Sequence, residues 1–265
     1  MNATSEERKD LDGIDILFLF WIMLLVLAWI GPALDPYVGD ARLLLTEALL
    51  LLGVIAFLKY RRLPIRAACR WNSIPLDLLP YFILFALSGA MLLDGIDRLI
   101  GLVIPLPTEV LESYRKDLTA SAPYGKVFIV LGAVLFAPIA EESIFRGAIQ
   151  QTFEHRSNVT KGVLLTSLIF GLIHFQIAWL IQLLIMSVFL GWMTWRWESI
   201  LPAILLHAAN NFWSYWLLVE AGDKWKNFYL FHGQLNPTIA VTCFAIAFLT
   251  FKKLYTSRSP EPWID

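Results

Sequence analysis

The chain has 265 residues, 58% of them hydrophobic and 16% charged, with a mean hydropathy of +0.63 and a net charge of −1. Soluble domains run nearer about 45–50% apolar and about 25% charged, so an ordinary soluble domain is excluded. No basic field invites nucleic acid. The two cysteines, Cys69 and Cys243, match no metal or disulfide spacing.

A helix crossing hydrocarbon needs roughly 20 predominantly apolar residues. Apolar segments of that kind follow one another along the chain. The first covers Ile14–Ile30, an anchor rather than a signal peptide, because Gly31-Pro32 follows it in place of a small-residue cleavage site. Leu43–Leu58 is the second, and Leu76–Leu93 the third, with a further apolar stretch over Leu99–Leu106. A long third connection, I-P-L-P-T-E-V-L-E-S-Y-R-K-D-L, can form an external cap or short helix. The fourth segment runs from Val127 through two glutamates toward Gln150, and the fifth covers Val163–Phe175. Ile177–Trp195, Ile200–Leu218 and Thr238–Leu254 complete the set, and the tail from Ser257 to Asp265 reads as unstructured. The expectation is all-α: a polytopic membrane helical bundle of about eight transmembrane helices. No repeat or linker divides it, so residues 1–265 read as one membrane domain.

Charge orients this bundle. With the N-terminus inside, 14 of the 21 Lys and Arg fall in inside segments, Arg146 counted among them. The cluster K-Y-R-R-L-P-I-R-A-A-C-R after the second segment is the strongest single signal. The positive-inside rule therefore predicts N-in and C-in, with an even number of crossings.

Polar residues interrupt the apolar segments at three places. In A-P-I-A-E-E-S-I-F-R-G, Pro138 should bend the helix just before the glutamates. Glu142 and Arg146 are one helical turn apart and can form an ion pair. Glu141, rotated about 100° from Glu142, need not join it. Two carboxylates in different environments result, one neutralised and one left for other work. L-I-F-G-L-I-H-F places His174 one turn after Phe170, deep in the fifth segment. L-L-H-A-A-N-N-F-W places His207 and Asn211 on one helix face, with Asn210 beside them. At about 1.5 Å per residue, Glu141, His174 and His207 lie roughly 22, 20 and 16 Å from the nearest inside charge. His155 and His232 fall in connections.

A glutamate can activate water as a general base, and His and Asn side chains can stabilise the oxyanion of a cleaving amide. The same Glu and His residues suit a divalent metal such as zinc, although neither H-E-x-x-H nor H-x-x-E-H is present. Ser143 and Ser167 lie in no G-x-S-x-G turn. Polar residues of this kind also serve proton-coupled transporters, or act as glue in a non-catalytic membrane scaffold or immunity protein. No matched pair of broken segments in two halves supports the transporter reading.

E-E-S-I-F-R, F-G-L-I-H and H-A-A-N-N, in this order on successive segments, resemble the E-E-x-x-x-R, F-x-x-x-H and H-x-x-x-N motifs of the CPBP family. That family of glutamic-type intramembrane proteases includes the CAAX prenyl endopeptidases and the bacterial Abi proteins. The resemblance covers about residues 127–217. It implies that Glu141 activates the attacking water with help from His174, that His207 and Asn211 bind the carbonyl oxygen, and that Glu142, Arg146 and Phe170 support them. It further implies an endopeptidase acting on a membrane-associated or lipidated protein or peptide within the bilayer, without nucleic acid and with no cofactor expected. Its brevity and N-in orientation read as those of a bacterial inner-membrane protein.

Overall fold

The computed structural model describes residues 11–175 and 177–257. Arg8, Lys9, Arg258 and most of the Ser257–Asp265 tail lie outside the described residues. The chain starts its first helix with a reciprocal cap. Asp12 accepts from the Asp15 N–H and Asp15 from the Asp12 N–H, each at 2.9 Å, satisfying two otherwise orphaned donors. Arg61 returns from the second segment to pair with Asp15 at 2.8 Å, tying the two ends together.

Helix then alternates with short turns over every predicted segment. Residues 13–38 are helical, with a π-helical stretch at Leu25–Ile30. Gly39, at φ +50°, reverses the chain into the helix Arg42–Tyr60, a conformation that glycine adopts without a Cβ penalty. Leu79–Gly101 forms the third long helix. Gly125–Arg156 is the glutamate helix, Val159–Leu172 the histidine helix, and residues 201–220 the asparagine helix. Ile177–Trp197 and Pro237–Thr256 complete the bundle. The only regular β structure among the described residues is a two-residue hairpin, Leu230–Phe231 with Gln234–Leu235. The protein is an all-α polytopic membrane bundle, and among the described residues five helices are long and apolar enough to cross a membrane.

Large apolar side chains divide into two populations. Phe82, Phe145, Phe170 and Trp197 are buried between helices, with Phe82 edge-on to Trp197 at 5.2 Å. Trp21, Phe244 and Leu249 are more than half exposed on the outer surface, where lipid rather than water is their neighbour. The third connection does form a helix, Thr108–Leu118, which caps one end of the bundle.

Two expectations require correction. Arg146, counted with the inside charges, is fully buried in the bundle, because Glu142 holds it there. His174 is not deep within a helix: the histidine helix stops at Leu172, and His174 sits in the following turn, before Phe175 at φ +53°. The left-handed residue ends the helix.

Glycines set the closest approaches of the glutamate helix. A Cβ on Gly147 would lie 2.6 Å from the Cα of Cys69, and one on Gly132 would lie 2.6 Å from the backbone nitrogen of Leu44. Backbone cannot yield as a flexible side chain can, so Gly147→Ala should destabilise by about 1–3 kcal/mol. A lowered melting temperature in a fixed detergent checks this.

Cys69 is buried, and burial pushes its thiol up to about 12. The thiolate is the reactive form, so Cys69 should resist maleimide at pH 8 in the folded protein and react once denatured. Mass spectrometry of both samples tests that.

Candidate active site

Pro138 removes a backbone donor from the glutamate helix. The helix widens to π geometry just before it, at Leu131–Phe136, and again just after the glutamates, at Ser143–Ile149. Single-turn π stretches commonly re-aim side chains at functional sites. Here they flank Glu141 and Glu142, which lie in the short α-helical piece Ala137–Glu142.

Glu142 and Arg146 are both fully buried and meet at 3.1 Å, Oε2 to Nε. The contact is a charge pair rather than an aligned hydrogen bond. Arg146 Nη2 also donates to Ser187 Oγ at 2.8 Å, and its guanidinium lies 4.4 Å from the centre of the Phe170 ring, a cation–π distance. The other Glu142 oxygen, Oε1, accepts from His207 Nδ1 at 2.8 Å. That bond fixes the His207 proton at Nδ1 and turns Nε2 toward Glu141, whose Oε2 is 3.9 Å away.

Glu141 differs from its neighbour. Its Oε2 is buried yet has no hydrogen-bond partner, and its side chain lines a cavity of about 640 Å³. His174 and His207 line the same cavity. His174 Nδ1 donates to the Phe170 carbonyl at 2.7 Å, so a neutral His174 ring offers a lone pair at Nε2. Phe170 is therefore the shared support: His174, His207 and Arg146 all pack on its ring, the two imidazoles at 4.8 and 5.9 Å.

Asn211 also lines the cavity, but its amide is partly committed: Nδ2 donates to the Ala133 carbonyl at 2.9 Å. One N–H of that amide remains for a ligand. Asn210, held by Gln182 Nε2 at 3.2 Å, faces the cavity beside it. Ser143 is no rival, since its buried hydroxyl donates to the Ile139 carbonyl and accepts from Trp71.

Several lining residues were not singled out in the sequence. Glu47, from the helix Arg42–Tyr60, is buried and lines the cavity. Its signal was a single carboxylate in L-L-L-T-E-A-L-L, an apolar run where any ionisable group suggests function. Tyr114 and Leu111 of the cap helix close over the same space. Burial, with Glu141 and Asp117 nearby, pushes the Tyr114 phenol up, so it stays protonated and able to donate. Among the described residues, no three His, Cys, Asp or Glu side chains converge as a metal-ligand set.

Residues 123–213 match the family model described as Type II CAAX prenyl endopeptidase Rce1-like. That third of the chain carries the glutamate pair, Arg146, Phe170, His174, His207 and Asn211. Residues 123–213 are similar to the Rce1-like CAAX endopeptidases. No curated protein and no solved structure matches the chain. The cavity, at about 640 Å³, is of ligand-binding size. The match supports a CAAX-type protease and a membrane-associated protein or peptide as its substrate.

Proposed function

We propose that the protein is an intramembrane endopeptidase in which Glu141 activates water against a peptide bond of a membrane-associated or lipidated substrate. The observation that carries this reading is the unequal treatment of the two glutamates. Glu142 is consumed by Arg146 and His207, whereas Glu141 keeps an unpartnered oxygen facing a cavity. The 3.9 Å between Glu141 Oε2 and His207 Nε2 is too long for a direct hydrogen bond, so Glu141 is left to hold a water from the cavity.

In this mechanism Glu141 takes a proton from that water as the oxygen attacks the carbonyl carbon. His174 Nε2 accepts a hydrogen bond that orients the same water. The remaining Asn211 N–H stabilises the oxyanion, an interaction that strengthens as charge develops. Glu142 and Arg146 hold His207 in one tautomer and supply a fixed charge pattern. The substrate reaches this site from the capped end, where Leu111 and Tyr114 form part of the wall. In the N-in orientation that mouth faces away from the cytoplasm, and the protein resides in a bacterial inner membrane.

Direct attack by water leaves no covalent acyl-enzyme. The purified protein in lipid nanodiscs should therefore release only a carboxylate product from a membrane peptide, even with hydroxylamine present. A hydroxamate product would show a covalent intermediate and overturn the mechanism.

A further inference from the structure

Glu47 is not used by the mechanism above, and its environment is unusual. It is 4% exposed, sits within an apolar helix, and its Oε2 has no hydrogen-bond partner. The helix carrying it packs directly against Ala137–Glu142. Glu47 and Glu141 line one cavity. The nearest cationic groups are already committed: Arg146 faces Glu142, and His207 Nδ1 bonds Glu142. Arg98 lines the cavity beside Asp94, with which it pairs, and Lys226 lines it near Leu230. Tyr114 contributes only a phenol. Two like charges lining one apolar cavity are costly, which favours a proton on the unpaired, more deeply buried Glu47 carboxyl.

Peptide hydrolysis needs such a proton. The departing nitrogen must be protonated as the C–N bond breaks, and the water-derived proton resides on Glu141. His174 has given its Nδ1–H to the Phe170 carbonyl, so its neutral ring has no donor to spare. His207 has likewise given its Nδ1–H to Glu142. We propose that Glu47, resting on the proposed glutamate–water mechanism, is the general acid that protonates the leaving amine.

The cycle balances. Glu141 begins as a carboxylate and Glu47 as a carboxylic acid. Water gives one proton to Glu141, and its oxygen bonds to the carbonyl carbon. As the tetrahedral intermediate collapses, the C–N bond breaks and the nitrogen takes the Glu47 proton. Glu141 then returns its proton to Glu47, and one water has been added across the amide.

The test compares Glu47→Gln, Glu47→Asp and Glu141→Gln in nanodiscs against one membrane peptide, with melting temperatures recorded alongside. Glu47→Gln should lower kcat about a hundredfold with KM little changed, and remove one limb of the pH–kcat profile. Glu47→Asp should restore that limb in part. Activity of Glu47→Gln within threefold of the wild type, with an unaltered profile, overturns the role of Glu47. If Glu141→Gln is then inactive, the underlying protease reading survives; if both variants cleave normally, both fall. Should Glu47→Gln fail to fold, infrared spectra of the folded wild type with 13C-glutamate decide. A protonated-carboxyl band at neutral pH is expected, and its absence overturns the proposal.

Discussion

Arg146→Met is expected to destabilise the protein by about 3–5 kcal/mol, the range for breaking one side of a buried ion pair. The guanidinium makes three contacts at once: the Glu142 carboxylate, the Ser187 hydroxyl and the face of Phe170. Methionine fills much of the volume but leaves Glu142 fully buried without its cation. A solvated pair would give a much smaller effect, about 0–1 kcal/mol. The double variant Glu142→Gln/Arg146→Met removes both charges and should recover most of the loss. It should not recover activity, because His207 then loses the carboxylate that fixes its tautomer. Melting temperatures at one scan rate, in one detergent, for the two single variants and the double variant give the coupling. Equal destabilisation by the single and double variants would show that packing, not charge, makes Arg146 necessary.

Glu141→Gln should lower kcat about a thousandfold while leaving the melting temperature within a few degrees of the wild type. Glutamine retains size and hydrogen-bonding capacity but cannot take a proton from water. Stability should hold because the affected oxygen, Oε2, has no partner to lose. The contrast with Arg146→Met separates chemistry from architecture on one helix. A Glu141→Gln protein that cleaves at the wild-type rate would point to the scaffold or transporter roles that the same polar residues also permit. Single-turnover rates, measured beside a thermal melt, read out both quantities.

The bundle was legible because lipid imposes a simple rule: backbone polar groups must be satisfied internally, so long apolar runs become helices. Each predicted segment is helical, and the fourth carries its glutamates on a short α-helical piece that contains Pro138, between two π-helical stretches. The ion pair of Glu142 with Arg146 followed from helix periodicity alone. What failed was information carried between segments. Nothing local marks Leu172 as the last residue of its helix, since Phe175, not glycine, takes the left-handed conformation that ends it. Nothing in L-L-L-T-E-A-L-L says that Glu47 lines the same cavity as Glu141, because that depends on Gly132 letting two helices approach closely. Asn211 shows a similar gap: its neighbour Ala133, on another helix, takes one of its N–H groups. Spacing within a helix is readable from sequence, whereas partners across helices are set by packing.

The most direct measurement compares peptide termini by mass spectrometry in membranes from cells making the wild type or Glu141→Gln at matched, folded levels. New termini present only with the wild type, arising from membrane-associated proteins, are predicted. They would reveal substrate and cleavage site together. Identical termini in the two membranes would contradict the assignment of Glu141 as the base of a protease.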